Sequence, residues 1–292
     1  MATITSTIEP ASLPSRLRPT SDTVSGRPLY YVVGIVLVIL FLAPLLWSAW
    51  KSVTGNEAGG SGSGLGWDNY ARLFAFGEGL PTYTWNSLFV AFLTVFGTLV
   101  ISTLAGYGFS RFRFPGKNVI FVLILAILMV PHPTILIPIY KMFAMVGLQN
   151  SLVGLSLVMI MFQLPFGVFM MRNSFEALPR ELEESALIDG CSRFQAMWRV
   201  LLRLTVPGLV TVSIFAFVAS WNEFMAALVL LSSGKVFTLP IALVNLRSGD
   251  FGSVDLGALQ AGVVVTAIPC VVLFLVLQRF YLAGFTSGAM KG

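Results

Sequence analysis

Few residues in this chain are of a type that does chemistry, and most of those fall in one short stretch. From Arg172 to Thr205 the sequence reads RNSFEALPRELEESALIDGCSRFQAMWRVLLRLT. It sets Glu181, Glu183, Glu184 and Asp189 among five arginines. Outside it, Glu223 is the one acid within a long apolar run, next to Trp221 and Asn222. A carboxylate in that setting is expensive and faces a cavity or a partner. Two readings stay open: the trio lines a pathway or its gate, or the Glu223 carboxylate snorkels to the outer surface or bonds a neighbouring helix. His132, the only histidine, lies between Pro131 and Pro133 and reads as a helix-end partner rather than a proton relay.

The missing constellations matter as much. No GxxxxGK[ST] occurs, so nothing here cradles the phosphates of ATP. Cys191 and Cys270 form neither a CxxC nor a Cys/His cluster, so no metal site is expected. No Ser-His-Asp set or carboxylate pair is visible. The chain reads as non-enzymatic on its own, with no cofactor of its own.

The elements that must position these residues follow from composition. Of 292 residues, 56% are hydrophobic and only 11% charged, with a mean hydropathy of +0.85. Soluble domains carry about 25% charged residues. Disorder requires the opposite balance. An integral membrane protein remains. A helical span needs about 20 apolar residues, and six runs qualify: 29–50, 85–109, 119–140, 152–171, 207–231 and 261–282. They lack the alternation of membrane barrel strands. The first is too long for a secretory signal and reads as an uncleaved span. Pro131, Pro133 and Pro138 predict a kinked or unwound half of the third span.

The net charge of +5 sits in short segments between apolar runs, which reads as topology control and not as nucleic-acid binding. Thirteen Lys and Arg fall on one side of the six runs and five on the other. The richer side is expected to be cytoplasmic, with both termini there. Residues 1–28, rich in Pro, Ser and Thr, read as a disordered cytoplasmic N-terminus. Residues 29–284 form the six-span domain, with a cytoplasmic loop at 172–205 and a tail at 285–292. In the first outer loop, eight of the residues 55–66 are Gly or Ser, a flexible-linker composition.

Within the loop, Pro179 suits the first turn of a helix whose positive end meets Glu181, Glu183 and Glu184. Gly190 suits a helix-ending position with positive φ. Ser192 suits the cap of a second helix. There Phe194, Met197, Trp198, Leu201 and Leu202 recur as one apolar stripe. Helix, glycine turn, helix makes a compact knob. It either docks in a partner's groove or lies on the headgroups.

The segment Glu184-Ser185-Ala186, three residues, Gly190, nine residues, Val200-Leu201-Leu202 resembles the EAA loop of ABC importer permeases. Ser185 stands where that pattern has Ala, and Arg203 where it has Pro. Further stretches are similar to the carbohydrate branch, and to the second maltose permease subunit in particular. They are Trp67-Asp68-Asn69-Tyr70, Trp85-Asn86-Ser87, Ala105-Gly106-Tyr107 with Arg111 to Gly116, Trp221-Asn222-Glu223, and the tail Gly284 to Gly292.

The resemblance implies an all-α fold of six transmembrane helices with a cytoplasmic helix-turn-helix coupling loop. It implies the permease of a binding-protein-dependent, ATP-driven importer of a sugar or oligosaccharide, in a prokaryotic cell membrane, working by alternating access. It implies ATPase-coupling roles for Glu184, Ser185, Ala186, Asp189, Gly190 and Phe194, and tail contact with the ATPase through Ser287, Gly288 and Lys291. Its partners would be a second permease subunit in a heterodimer, two ATPase subunits that bind ATP and Mg, and an extracytoplasmic solute-binding protein. The alternatives are an ion-coupled secondary transporter, or an ABC permease for glycerol phosphate or peptide. One lone carboxylate and no detectable repeat speak against the former.

Overall fold

The computed structural model describes residues 27–54, 66–248 and 255–289, with side chains over 30–54, 66–247 and 255–278. Most of the N-terminal segment read as disordered, residues 55–65 of the Gly/Ser linker, and Lys291 lie outside the described residues.

Helix α1 (Arg27–Val53) is apolar on every face, the pattern of a membrane span. Its length to Trp47 belongs to one compact unit, and Ser48 onward belongs to another. In the second unit, α2 (Asp68–Ala75) is stitched by polar contacts. The Asn69 amide donates to the carbonyls of Ser52 at 2.8 Å and Thr54 at 3.0 Å. Arg72 pairs with Asp255 at 2.5 Å.

Helix α3 (Leu80–Arg111) has Pro81 in its first turn and no proline after it, so it runs unbroken until the chain extends at Phe112. Helices α4 (Lys117–Ala126) and α5 (His132–Val146) were expected as one kinked span. The break is sharper: a 3₁₀ turn at Ile127–Met129, then a bend of 101° between the two arms. Val130 is extended, as a residue before proline prefers, and Pro131 has no N–H to continue the ladder. His132 opens α5 and lies flat on Phe162, ring centroids 4.0 Å apart.

Helix α6 (Leu152–Glu176) is capped by Ser151 and carries Pro165 inside. The loop follows as α7 (Glu181–Ile188), α8 (Arg193–Ala196), a π turn (Met197–Leu201) and α9 (Leu202–Leu204). Helix α10 (Val206–Trp221) leaves the loop at 78° to Arg193–Leu204. Then come α11 (Met225–Leu230), α12 (Leu239–Ser248) and α13 (Leu256–Ala289). The run 207–231, read as one span, is therefore two helices with a break at Asn222–Phe224. Among the described residues, four helices are long and apolar enough to cross a membrane, and the two bent pairs raise the candidates to six.

The core is α3 against α6, with α10 packed on both. Its tightness comes from small residues spaced four apart on α3: Thr94, Thr98, Ser102 and Gly106, the first three fully buried. Small faces let helix backbones approach where no hydrophobic drive favours one apolar neighbour over another. Gly106 is the extreme case. A Cβ there would sit 2.6 Å from Cβ of Met171 and 2.7 Å from the Arg172 nitrogen.

Candidate functional site

The knob between α6 and α10 is built from local signals. Pro179 sits just ahead of the α7 cap residue Arg180, so it precedes the first turn instead of occupying it. Glu181, Glu183 and Glu184 fill that first turn, where the helix dipole favours them. The helix ends in a Schellman arrangement. The Cys191 N–H donates to the Ala186 carbonyl at 3.0 Å and the Gly190 N–H to that of Leu187 at 3.1 Å. This closure needs a left-handed residue, and Gly190 supplies φ +86°. Ser192 and Gln195 then form a reciprocal capping box at the start of α8.

The single apolar stripe expected on the second helix is instead divided between two faces. Met197 and Leu201 are buried against Tyr107, Met171, Phe175 and Val212. Burying each stabilises the knob by about 1.5–3 kcal/mol. Phe194 and Trp198 point outward, 63% and 60% exposed, and Ile188 at the end of α7 is 86% exposed. Glu184, Ser185, Asp189 and Gly190 are exposed beside them, whereas Ala186 is packed inward.

One acid in this cluster behaves differently. Glu183 is only 7% exposed. The Tyr107 hydroxyl donates to its Oε1 at 2.7 Å, and Nε of Arg111 lies 3.3 Å from its Oε2. Arg111 also donates to the carbonyls of Phe175 and Leu178, both at 3.0 Å, so it closes the exposed end of α6 as well. Arg193 lies over the Phe112 ring, 5.4 Å from its centroid. The first turns of α7 and α8 are thus fastened to the end of α3. Sequence reasoning missed Glu183, Tyr107 and Arg111 as a set. The only linear signal was Tyr107 and Arg111 one helical turn apart at the end of a span.

The trio at 221–223 does not stay together. Trp221 is 1% exposed, stacked on Phe217, and its indole N–H donates to the Thr266 carbonyl at 3.0 Å. Its ring is thereby buried within the chain, bonded to α13. Asn222 is exposed, its amide turned back onto the Val218 carbonyl at 2.8 Å. The apolar run 207–231 put Glu223 on one continuous helix. Glu223 lies instead in the break after Trp221, where its Oε1 accepts the Ala226 N–H at 2.6 Å. It caps the first turn of α11. At the C-terminus, α13 continues through Ser287 and Gly288 to Ala289.

Comparison with known proteins agrees with this architecture. Residues 97–283, which include the whole loop, match the family described as "Binding-protein-dependent transport system inner membrane component". The sulfoquinovosyl glycerol transport system permease protein SmoH of Agrobacterium fabrum is 32% identical over 279 residues, covering 93% of this chain and 96% of that protein. The trehalose transport system permease protein SugB of Mycobacterium tuberculosis is 32% identical over 271 residues, covering 91% and 98%. Among solved structures, a chain of a bacterial ABC transporter that imports the acidic polysaccharide alginate superposes with a TM-score of 0.70 at 22% identity, covering 93% of this chain and all of that one. The protein is a multi-pass membrane protein, and it belongs to the family of binding-protein-dependent transport system inner membrane components.

Proposed function

We propose that this chain is the permease subunit of an ATP-driven importer, and that it passes a sugar or oligosaccharide from an extracytoplasmic solute-binding protein into a prokaryotic cell. The transport systems named for its relatives SmoH and SugB support the carbohydrate class. A second permease subunit completes a heterodimer, and two ATPase subunits bind ATP and Mg. The loop 172–205 and both termini face the cytoplasm, in keeping with the excess of Lys and Arg on that side.

The observation that carries the reading is the two-sided loop. One side is bonded into the bundle through Glu183, Met197 and Leu201. The other offers Ile188, Phe194 and Trp198 to a partner, ringed by Glu184 and Asp189. Exposed aromatic anchors with a charged rim are what a docking helix presents to a groove. ATP-driven closure of the ATPase pair pushes on this face, and the bundle alternates its opening.

Glu184→Lys tests the reading. Glu184 is taken to pair with a basic ATPase residue; the lysine reverses that charge, and like charges across an interface cost several kcal/mol. The ATPase should dissociate from the purified complex or hydrolyse ATP without response to loaded binding protein, and uptake should stop. Normal retention, stimulation and uptake would overturn the proposal.

A further inference from the structure

The buried anchorage of the loop has a counterpart at the opposite end of the same helix. At the loop end, Tyr107 and Arg111 of α3 hold Glu183 of α7. At the other end, the Asn86 amide donates to the carbonyls of Lys235 and Phe237, both at 2.9 Å. Ser87 Oγ accepts the Leu239 N–H at 2.8 Å. All five α3 and α7 residues named here are buried or, for Arg111, buried at the side chain. Buried polar contacts resist exchange with water, so both joints are stiff. Between them, from Ser87 to Tyr107, α3 runs for about 30 Å of helix at 1.5 Å per residue, free of interior proline after its first turn.

We propose that α3 is a strut, fixed through Glu183 to the loop and through Asn86 and Ser87 to the segment Lys235–Leu239, so that displacement of the loop reaches the opposite face as movement of one rigid body. Tyr107, Arg111 and Glu183 are then positioning residues for coupling, and so is Asn86 although it lies far from any ATPase. A displaced loop with a soft joint would deform locally and leave the far face still. With both joints closed, the segment between α11 and α12 must follow α3. That segment is also held by Asn150, whose Oδ1 accepts the N–H groups of Ser232 at 2.9 Å and Ser233 at 3.1 Å. The movement therefore extends to the connection between α5 and α6.

The inference rests on the proposed ATP-driven reading, and its test is separable from that one. The complete complex with its ATPases is reconstituted in proteoliposomes carrying Glu183→Gln, Asn86→Ala or Tyr107→Phe. ATPase retention, hydrolysis stimulated by binding protein, and substrate moved per ATP are measured together. Glu183→Gln and Asn86→Ala should retain the ATPase and its basal hydrolysis, while stimulation by binding protein and substrate moved per ATP both fall about tenfold, within the usual range of coupling between sites. Tyr107→Phe keeps both charges and should lose less, about fivefold. A residue that serves only stability would lower yield or melting temperature and leave the ratio untouched. An unchanged ratio in assembled Asn86→Ala, or an effect confined to the loop end, would overturn the strut. Should Glu183→Gln fail to assemble, Tyr107→Phe carries the loop-end measurement with the same two outcomes. Failure of Glu184→Lys to uncouple would instead count against the loop as the ATPase contact.

Discussion

Glu183 and Glu184 are adjacent in sequence and meet different surroundings on one short helix. Glu183 is buried on Tyr107 and Arg111, and Glu184 stands exposed beside Ser185. The bundle holds the loop by the first and leaves the second for a partner. Removing one member of a buried ion pair costs about 3–5 kcal/mol, so Arg111→Ala should lower the yield of assembled complex sharply. Arg111→Lys should retain charge but not the reach to both Phe175 and Leu178 carbonyls, and should lie between Ala and the native chain in melting temperature.

Gly190 and Gly106 should fail for different reasons. At Gly190 a Cβ meets nothing within 4 Å, so only the φ of +86° resists substitution. A β-branched residue there is strained by about 1 kcal/mol or more. Gly190→Val should insert normally yet lose ATPase copurification. Gly190→Asn, which tolerates left-handed φ, should recover most of it.

Gly106→Val faces backbone. Its side chain would drive Met171 and the Arg172 nitrogen away from α3, and overpacking of this sort costs about 1–3 kcal/mol. Membrane yield and melting temperature should fall together, whatever the state of the loop. Native thermal stability would show that α3 and α6 separate more easily than their packing implies.

Much of the loop was legible because its signals are local. A glycine with the right flanks closes α7, and Ser192 with Gln195 opens α8, without help from the rest of the chain. The division of the apolar stripe was not legible. The π turn at Met197–Leu201 departs from the period of 3.6 on which such a stripe is drawn. Nor could the sequence separate Glu183 from Glu184, since the residues that choose between them lie on α3. The break after Trp221 was hidden for another reason. The apolar run resumes directly after Asn222 and Glu223, and a carboxylate that caps the restart looks, in sequence, like one exposed in a pore.

Glu223 should therefore behave as a cap. Glu223→Ala removes the acceptor for the Ala226 N–H, and losing a helix cap costs about 1 kcal/mol. The melting temperature of the complex should fall while substrate preference and uptake per assembled complex stay near native. Loss of uptake at native stability would restore a role in the pathway.

Topology is checked with single cysteines in a chain lacking Cys191 and Cys270. An impermeant thiol reagent applied to intact cells should label Glu78→Cys and spare Arg199→Cys, both at exposed positions. The reverse pattern would place the loop outside the cell, away from any ATPase.

The central claim is that the exposed face of the loop meets the ATPase, and proximity tests it most directly. A photo-crosslinking amino acid at Ile188, 86% exposed at the tip of α7, is activated in native membranes and the adducts are identified by mass. The account predicts an adduct with the ATPase subunit, and a yield that changes when ATP is added. Adducts with lipid alone, from a complex that still contains the ATPase, would contradict it.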